Sequence, residues 1–211
     1  IKYEPQSRVN TFAHVNHSED STRLGVLLCI NGTGILNSWL KHNVMEGKDY
    51  DKMNRLAADI SVGSDNLYIL PFGNGAERVL LNRDIGSSFH NINFNIHSKA
   101  HLLRAAQEGI VFSLKYGLEI MENIGIKPSI IRAGHSNMFL SEIFRNTLSG
   151  ITGAAIELYD TDGSIGAARG AGVGSKLYKS YEEAFSNLKK IKVVEPDINN
   201  RQLYTDAYNS W

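Results

Sequence analysis

The sequence predicts a layered α/β domain. Between residues 98 and 176 helical and strand signals alternate as helix, strand, helix, strand, helix, the order that stacks helices against a sheet. Leu103, Ala106, Ile110, Leu114, Leu118 and Met121 recur at steps of three or four, which is one face of a long helix. The chain has 211 residues, 42% hydrophobic and 21% charged, a globular composition with enough length to bury a normal core.

The elements follow in order. Residues 9–15 alternate polar and apolar and predict a strand. Residues 24–30 are a continuous apolar run that periodicity alone does not classify. Asn31-Gly32-Thr33-Gly34 is a turn, followed by a short helix over 35–42 and a second over 49–60. A short strand, 67–70, ends at Pro71, and a glycine-rich polar stretch runs from 72 to about 95. Ser98 is placed to cap the long helix and Gly125 to end it. Strand 129–133, helix 138–148, strand 154–159, helix 164–176, helix 181–188, strand 191–194 and a C-terminal helix complete the reading. No repeat, low-complexity tract or linker interrupts it, so one domain over 1–211 is expected.

Charge and cysteine content exclude some classes. The formal net charge is zero and the pI about 7.2, so no basic surplus invites nucleic acid or an anionic membrane. No apolar run approaches the roughly 20 residues that span a bilayer. The single cysteine, Cys29, lies in an apolar run, reads as a small buried hydrophobe and favours a reduced, cytoplasmic setting. The chain opens at Ile1 rather than Met, which reads as a fragment.

Motif by motif, chemistry is scarce. The run from Gly166 to Lys176 is glycine-rich but has neither the G-x-G-x-x-G spacing nor a Gly-Lys-Ser/Thr; it reads as a helix whose small residues pack closely on a neighbour. His97 and His101, or His14 and His17, supply two ligands of a metal site with no third. Asp160 and Asp162 after a strand fit Mg²⁺ or, equally, turn chemistry. Glu77-Arg78 reads as a local ion pair. No nucleophile with an adjacent base stands out.

An ordered set of segments says more. Leu67-Tyr68-Ile69-Leu70-Pro71-Phe72 precedes Gly75-Ala76-Glu77-Arg78; Asp84-Ile85-Gly86 precedes the stretch Leu103-Arg104-Ala105-Ala106-Gln107-Glu108-Gly109-Ile110-Val111-Phe112; then come Ile130-Ile131-Arg132-Ala133-Gly134-His135-Ser136-Asn137 and Gly163-Ser164-Ile165-Gly166-Ala167-Ala168. Over residues 9–190 this succession resembles the C-terminal domain of the FGGY carbohydrate kinases, most like its xylulokinases.

The resemblance implies an actin-like ATPase, ribonuclease-H-like domain, with a mixed sheet flanked by helices. It implies one half of a two-domain sugar kinase, with ATP bridging both halves, Mg²⁺ held with the other half, and the sugar on the N-terminal domain. It puts adenosine on the loop Arg132 to Asn137, with Ala133, Gly134 and Asn137 in contact. Arg132 and Ala133 stand where the family has glycines, so Arg132 must point away or stack. Asn137 also reads as a helix N-cap. The ATP phosphates fall beside Gly32, Thr33 and Gly34, with Ser38 one helical turn further on. Arg104 and Glu108 are family landmarks read as structural. The family's Asp-x-Gly-Thr segment and catalytic Asp do not occur here, so no catalytic residue is assigned and the fragment alone is expected to be inactive.

The implied reaction is transfer of the ATP γ-phosphoryl to a sugar primary hydroxyl, with D-xylulose as first choice from the run Ile156 to Gly163. Gluconate, glycerol, ribulose and fuculose are the alternatives. A lapsed actin-like ATP-binding regulator is a reading of a different class, and an assembly domain a third. A fragment also exposes the face that met its partner domain, so an apolar patch able to support a homodimer is expected.

Overall fold

A computed structural model describes residues 2–47 and 49–211. The chain divides into two compact units, one running to Lys127 and taking in Leu203–Trp211, the other Pro128–Gln202.

The first unit opens with an antiparallel hairpin, β1 (Asn10–Ala13) and β2 (Leu24–Leu27). Only half of the apolar run 24–30 is strand. Beyond it Ile30 turns into a core with Phe72, Val79 and Ile120. Cys29 is exposed, its thiol facing the Asn31 side-chain oxygen at 3.5 Å. The buried reading is thus corrected: neighbours in an extended run point to opposite sides, and Ile30 takes the inner one.

Helix α1 (Thr33–Asn43) follows, then α2 (Tyr50–Ala58), whose Asp49 cap accepts the Lys52 N–H at 2.6 Å. Strand β3 (Tyr68–Leu70) pairs antiparallel with β4 (Ser88–His90). β4 lies in the stretch read as irregular; its three residues carry no apolar alternation, and its place is fixed by pairing and by the Tyr68–His90 stack at 4.8 Å.

The centre of this unit is α3 (Lys99–Asn123). Ser98 caps it as expected. The His101 ring completes the cap, its Nδ1 accepting from the Ser98 N–H and hydroxyl while its Nε2–H donates to Asp65. Gly125 takes the left-handed conformation beyond the helix end, φ +91°. The helix departs from the one-faced reading, because residues 103–113 are buried on all sides. Its polar groups are accordingly paired. Arg104 meets Glu108 at 2.6 Å, Gln107 donates to Asn54, and the Ser113 hydroxyl donates to the Ile110 carbonyl. Glu108 also accepts the Gly63 N–H and the Ser64 hydroxyl, which makes Arg104 and Glu108 structural as read. Burial pushes the Glu108 carboxyl up in pKa against the pull of Arg104.

The last helix, α7 (Arg201–Ser210), returns to this unit from Leu203 on. Trp211 after it donates its indole N–H to the Ile69 carbonyl at 2.8 Å and packs on Phe72, Phe112 and Tyr208.

The second unit is a three-stranded mixed sheet with helices. β5 (Ile130–Gly134) runs parallel to β6 (Ala155–Tyr159), and β7 (Lys190–Val194) is antiparallel to β6. Ile156 and Leu158 on β6 are fully buried, each contributing about 2 kcal/mol by leaving water. α4 (Glu142–Thr152) starts later than the sequence suggested. A 3-10 turn occupies Asn137–Leu140, and Ser141 then caps α4 by accepting the Phe144 N–H at 3.3 Å.

α5 (Gly163–Gly174) and α6 (Tyr181–Phe185) complete the unit. Close packing of the α5 glycines is corrected. A Cβ on Gly172 would meet the Tyr178 ring at 2.7 Å, but one on Gly166, Gly170 or Gly174 would meet nothing within 4 Å.

In α3, a Cβ at Gly109 would stand 2.1 Å from the Ile69 carbonyl oxygen. Ala favours helix by about 1 kcal/mol over Gly, yet a collision with backbone costs about 1–3 kcal/mol or more. Gly109→Ala is therefore expected to lower the urea midpoint, and a raised midpoint would show that β3 does not pack on α3 in this way.

Candidate functional site

The residues expected around a nucleotide fall into both units. In the first unit, Gly32, Thr33 and Gly34 form the β2–α1 junction, with Gly32 preceding the first helical residue. The turn is held by a carboxylate. Glu77 is fully buried and accepts N–H groups of Asn31 at 2.9 and 3.0 Å and of Gly32 at 2.9 Å. Asn31 adds a side-chain bond to the Ala76 carbonyl, and Asn74 one to the Asn31 carbonyl. The expected Glu77–Arg78 pair is therefore corrected: Glu77 faces inward to the helix start, while the Arg78 guanidinium reaches the Asn10 side chain.

The two glycines of the turn differ in kind. A Cβ on Gly32 would lie 1.6 Å from the Pro71 carbonyl oxygen, so the protein itself excludes a side chain there. A Cβ on Gly34 would meet nothing within 4 Å. Thr33, Gly34 and Ile35 open α1, and the first N–H groups of a helix have no partner inside it. Together with the helix dipole they make a place where an anion is stabilised. Ser38 is half-buried on the same helix, and its carbonyl accepts from His42. Beside the turn runs a groove of about 330 Å³ lined by residues that include Ile35, Trp39, Pro71 and Phe89. Ile35, Trp39 and Phe89 are exposed.

In the second unit, Arg132, Ala133 and Gly134 end β5 and Asn137 begins the 3-10 turn. The Gly134 Cβ position lies 2.3 Å from the Thr161 carbonyl oxygen, so this glycine is required by the fold alone. Its successors are tied back: the His135 N–H donates to the Tyr159 carbonyl and the Ser136 N–H to the Gly134 carbonyl. Ala133 is half-buried. Asn137 is exposed and left-handed, φ +50°. That conformation corrects the N-cap reading, because a cap residue sits in the β region and the α4 cap is Ser141.

Arg132 points to a neighbour. Glu157, its cross-strand partner in register, accepts from Arg132 Nε at 2.9 Å, from the Tyr159 hydroxyl at 2.8 Å and from Lys190. These donors, Lys190 first and then Arg132, hold the Glu157 carboxyl down at about 2. Asp162 is committed to α5, accepting the Ser164 hydroxyl and the Ile165 N–H. Among the described residues no three His, Cys, Asp or Glu side chains are grouped to hold a metal. No described helix is long and apolar enough to cross a membrane.

The site residue that sequence reasoning missed is Glu77. Its place in a Gly-Ala-Glu-Arg turn was noted, but the partners that reveal its work lie 45 and 46 residues away.

Comparisons with known proteins agree on one relationship. A family model described as "FGGY family of carbohydrate kinases, C-terminal domain" matches residues 2–174. The L-xylulose/3-keto-L-gulonate kinase of Escherichia coli (strain K12) is 30% identical over 165 residues, 77% of this chain and 32% of that protein. A xylulose kinase of Staphylococcus epidermidis is 27% identical over 220 residues, 99% of this chain and 42% of that one. The crystal structure of ligand-bound xylulose kinase from Lactobacillus acidophilus shares the fold, with a TM-score of 0.78 at 22% identity, over 99% of this chain and 42% of that chain. The chain thus spans 32% to 42% of the length of these proteins.

Two outcomes check this geometry. Glu77→Gln removes the charge but keeps one acceptor, so it should cost about 1.5–3 kcal/mol of unfolding free energy, the range for hydrogen bonds to a charged group; unchanged stability in urea would show that the turn does not depend on the carboxylate. Glu157 has a folded pKa below its unfolded one, so its stabilisation is complete above about 4.5 and is lost as pH falls through about 2. Thermal melts from pH 5 to 2 should fall less steeply for Glu157→Gln than for the parent chain.

Proposed function

Because the chain belongs to the FGGY family of carbohydrate kinases, as its C-terminal domain, we propose that it is the part of a sugar kinase that grips ATP. The α1 N-terminus would receive phosphate oxygens on the N–H groups of Thr33, Gly34 and Ile35, with Ser38 one turn further along. The loop 132–137 would meet adenosine, Ala133 and Gly134 by close approach and Asn137 by its side-chain amide. One observation carries the reading: Gly34 is a glycine that the fold does not explain. Nothing occupies the space where its Cβ would stand, and Ala would favour the helix there, so the open space fits a ligand pressing on the backbone.

For the whole protein we propose transfer of the γ-phosphoryl group of ATP to a primary hydroxyl of D-xylulose, the hydroxyl proton passing to a carboxylate base. Positioning and charge stabilisation are most of what such a transfer needs. The base is assigned to no residue of this chain, and no step is routed through Mg²⁺. The 211 residues alone should show no sugar-dependent ATP turnover.

The regulator reading fits Arg132 and Ala133 standing in place of glycines. Arg132 is engaged by Glu157 along the sheet, so its side chain is occupied and the substitution does not argue against nucleotide binding.

The test sets stability against binding. Calorimetry should give weak ADP and ATP affinity, roughly between millimolar and tens of micromolar. Gly34→Ala should leave the melting temperature unchanged or raised while weakening ADP binding several-fold, and Asn137→Ala should weaken it too. Full ADP affinity in Gly34→Ala would refute the phosphate contact at α1.

A further inference from the structure

The second unit buries a cation that the roles given so far do not use. Arg145 lies on α4 with 6% of its surface exposed. Among the described residues it forms no ion pair with a carboxylate, and its Nε has no partner. Desolvation draws its pKa below the ordinary arginine value, with Glu142 only partly offsetting that. A buried charge without a carboxylate bonded to it is a poor way to stabilise a fold, since a well-packed apolar side chain often serves as well or better.

What the guanidinium does touch is specific. One terminal nitrogen donates to two successive carbonyls, Phe139 at 2.6 Å and Leu140 at 3.0 Å. These close the 3-10 turn that begins at Asn137. The neighbouring Phe144 meets Phe139 edge-to-face at 5.2 Å, so α4 grips the same turn through two adjacent side chains. Asn137, two residues before Phe139, is left-handed, and a non-glycine residue keeps that conformation only where its surroundings over-determine it.

We propose that Arg145 is the positioning residue of the nucleotide loop: by fixing the carbonyls of Phe139 and Leu140 it keeps the 137–140 turn wound and the Asn137 amide presented to its ligand. This rests on the reading of Asn137 as a nucleotide contact. Arg145 itself touches no ligand and acts through the backbone of the turn. The guanidinium donates to both carbonyls, which a side chain of matching bulk without N–H groups cannot do.

The test is a double-mutant cycle on the 211-residue chain, read by ADP calorimetry with circular dichroism to check folding. Asn137→Ala, Arg145→Met and their combination are compared. Arg145→Met keeps much of the packing and removes the donors. It should weaken ADP about as much as Asn137→Ala, and the double variant should be little worse than either single one, because both remove the same interaction. Arg145→Lys, which keeps a donor, should recover part of the affinity; a purely structural role predicts the reverse order, Met binding better than Lys. If Arg145→Met binds ADP like the parent while Asn137→Ala does not, or if the two losses multiply, the positioning role is wrong and the nucleotide loop stands. If Asn137→Ala binds ADP like the parent, the loop reading falls and the proposal with it. Should Arg145→Met fail to fold, Arg145→Leu, which also lacks donors, takes its place in the cycle with the same criteria.

Discussion

A carboxylate with no exposed surface sets the geometry of the first unit's candidate site. Glu77 has both oxygens engaged by N–H groups at the start of α1. A buried carboxylate left without donors would be costly, so the β2–α1 turn and the 71–77 loop form together or not at all. Once they have formed, the Pro71 carbonyl leaves no room for a side chain at position 32. The turn is therefore shaped by a segment about 40 residues downstream rather than by its own sequence. What Glu77 does not take up are the N–H groups of the next turn, at Thr33, Gly34 and Ile35, which stay available at the positive end of the helix.

The glycines of the two candidate loops show how to separate folding from binding. At Gly32 and Gly134 the space beside the backbone is filled by carbonyl oxygens of the same chain, Pro71 in one case and Thr161 in the other. Either glycine would be required in a protein that bound nothing. Gly34 has no such neighbour. A glycine in a nucleotide-binding pattern thus speaks for a ligand only after the protein's own atoms have been subtracted, and here that leaves one of three.

The sequence made the long helix legible because its signals are local: a period of three to four, a cap at Ser98 and a left-handed Gly125. Strands β5 and β6 were legible for a similar reason, being compact apolar runs between turns. What escaped depended on distant pairing. β4 is three residues of Ser, Phe and His with no pattern of their own, and it exists because β3 lies beside it. Glu77 resembled half of a surface ion pair until its partners came into view. The later start of α4 follows from one backbone angle at Asn137 and one hydroxyl at Ser141, neither of which hydrophobic periodicity records. The α5 glycines misled in the opposite direction, since small residues permit close packing without requiring it. The candidate loops themselves were found by resemblance to a family, and the structure gives a reason within the fold for Gly32 and Gly134.

The indole of Trp211 bonds a carbonyl 142 residues earlier in the chain and fills the space beside Gly109. During synthesis the ribosome delivers the second unit whole before this ring emerges. The second unit can therefore form early, while Phe72 and Phe112 of the first wait without the ring that packs on them. Such long-range closure is slow to find, so nascent chains should spend their longest vulnerable interval with those rings uncovered, the state in which a chaperone or a protease would meet them.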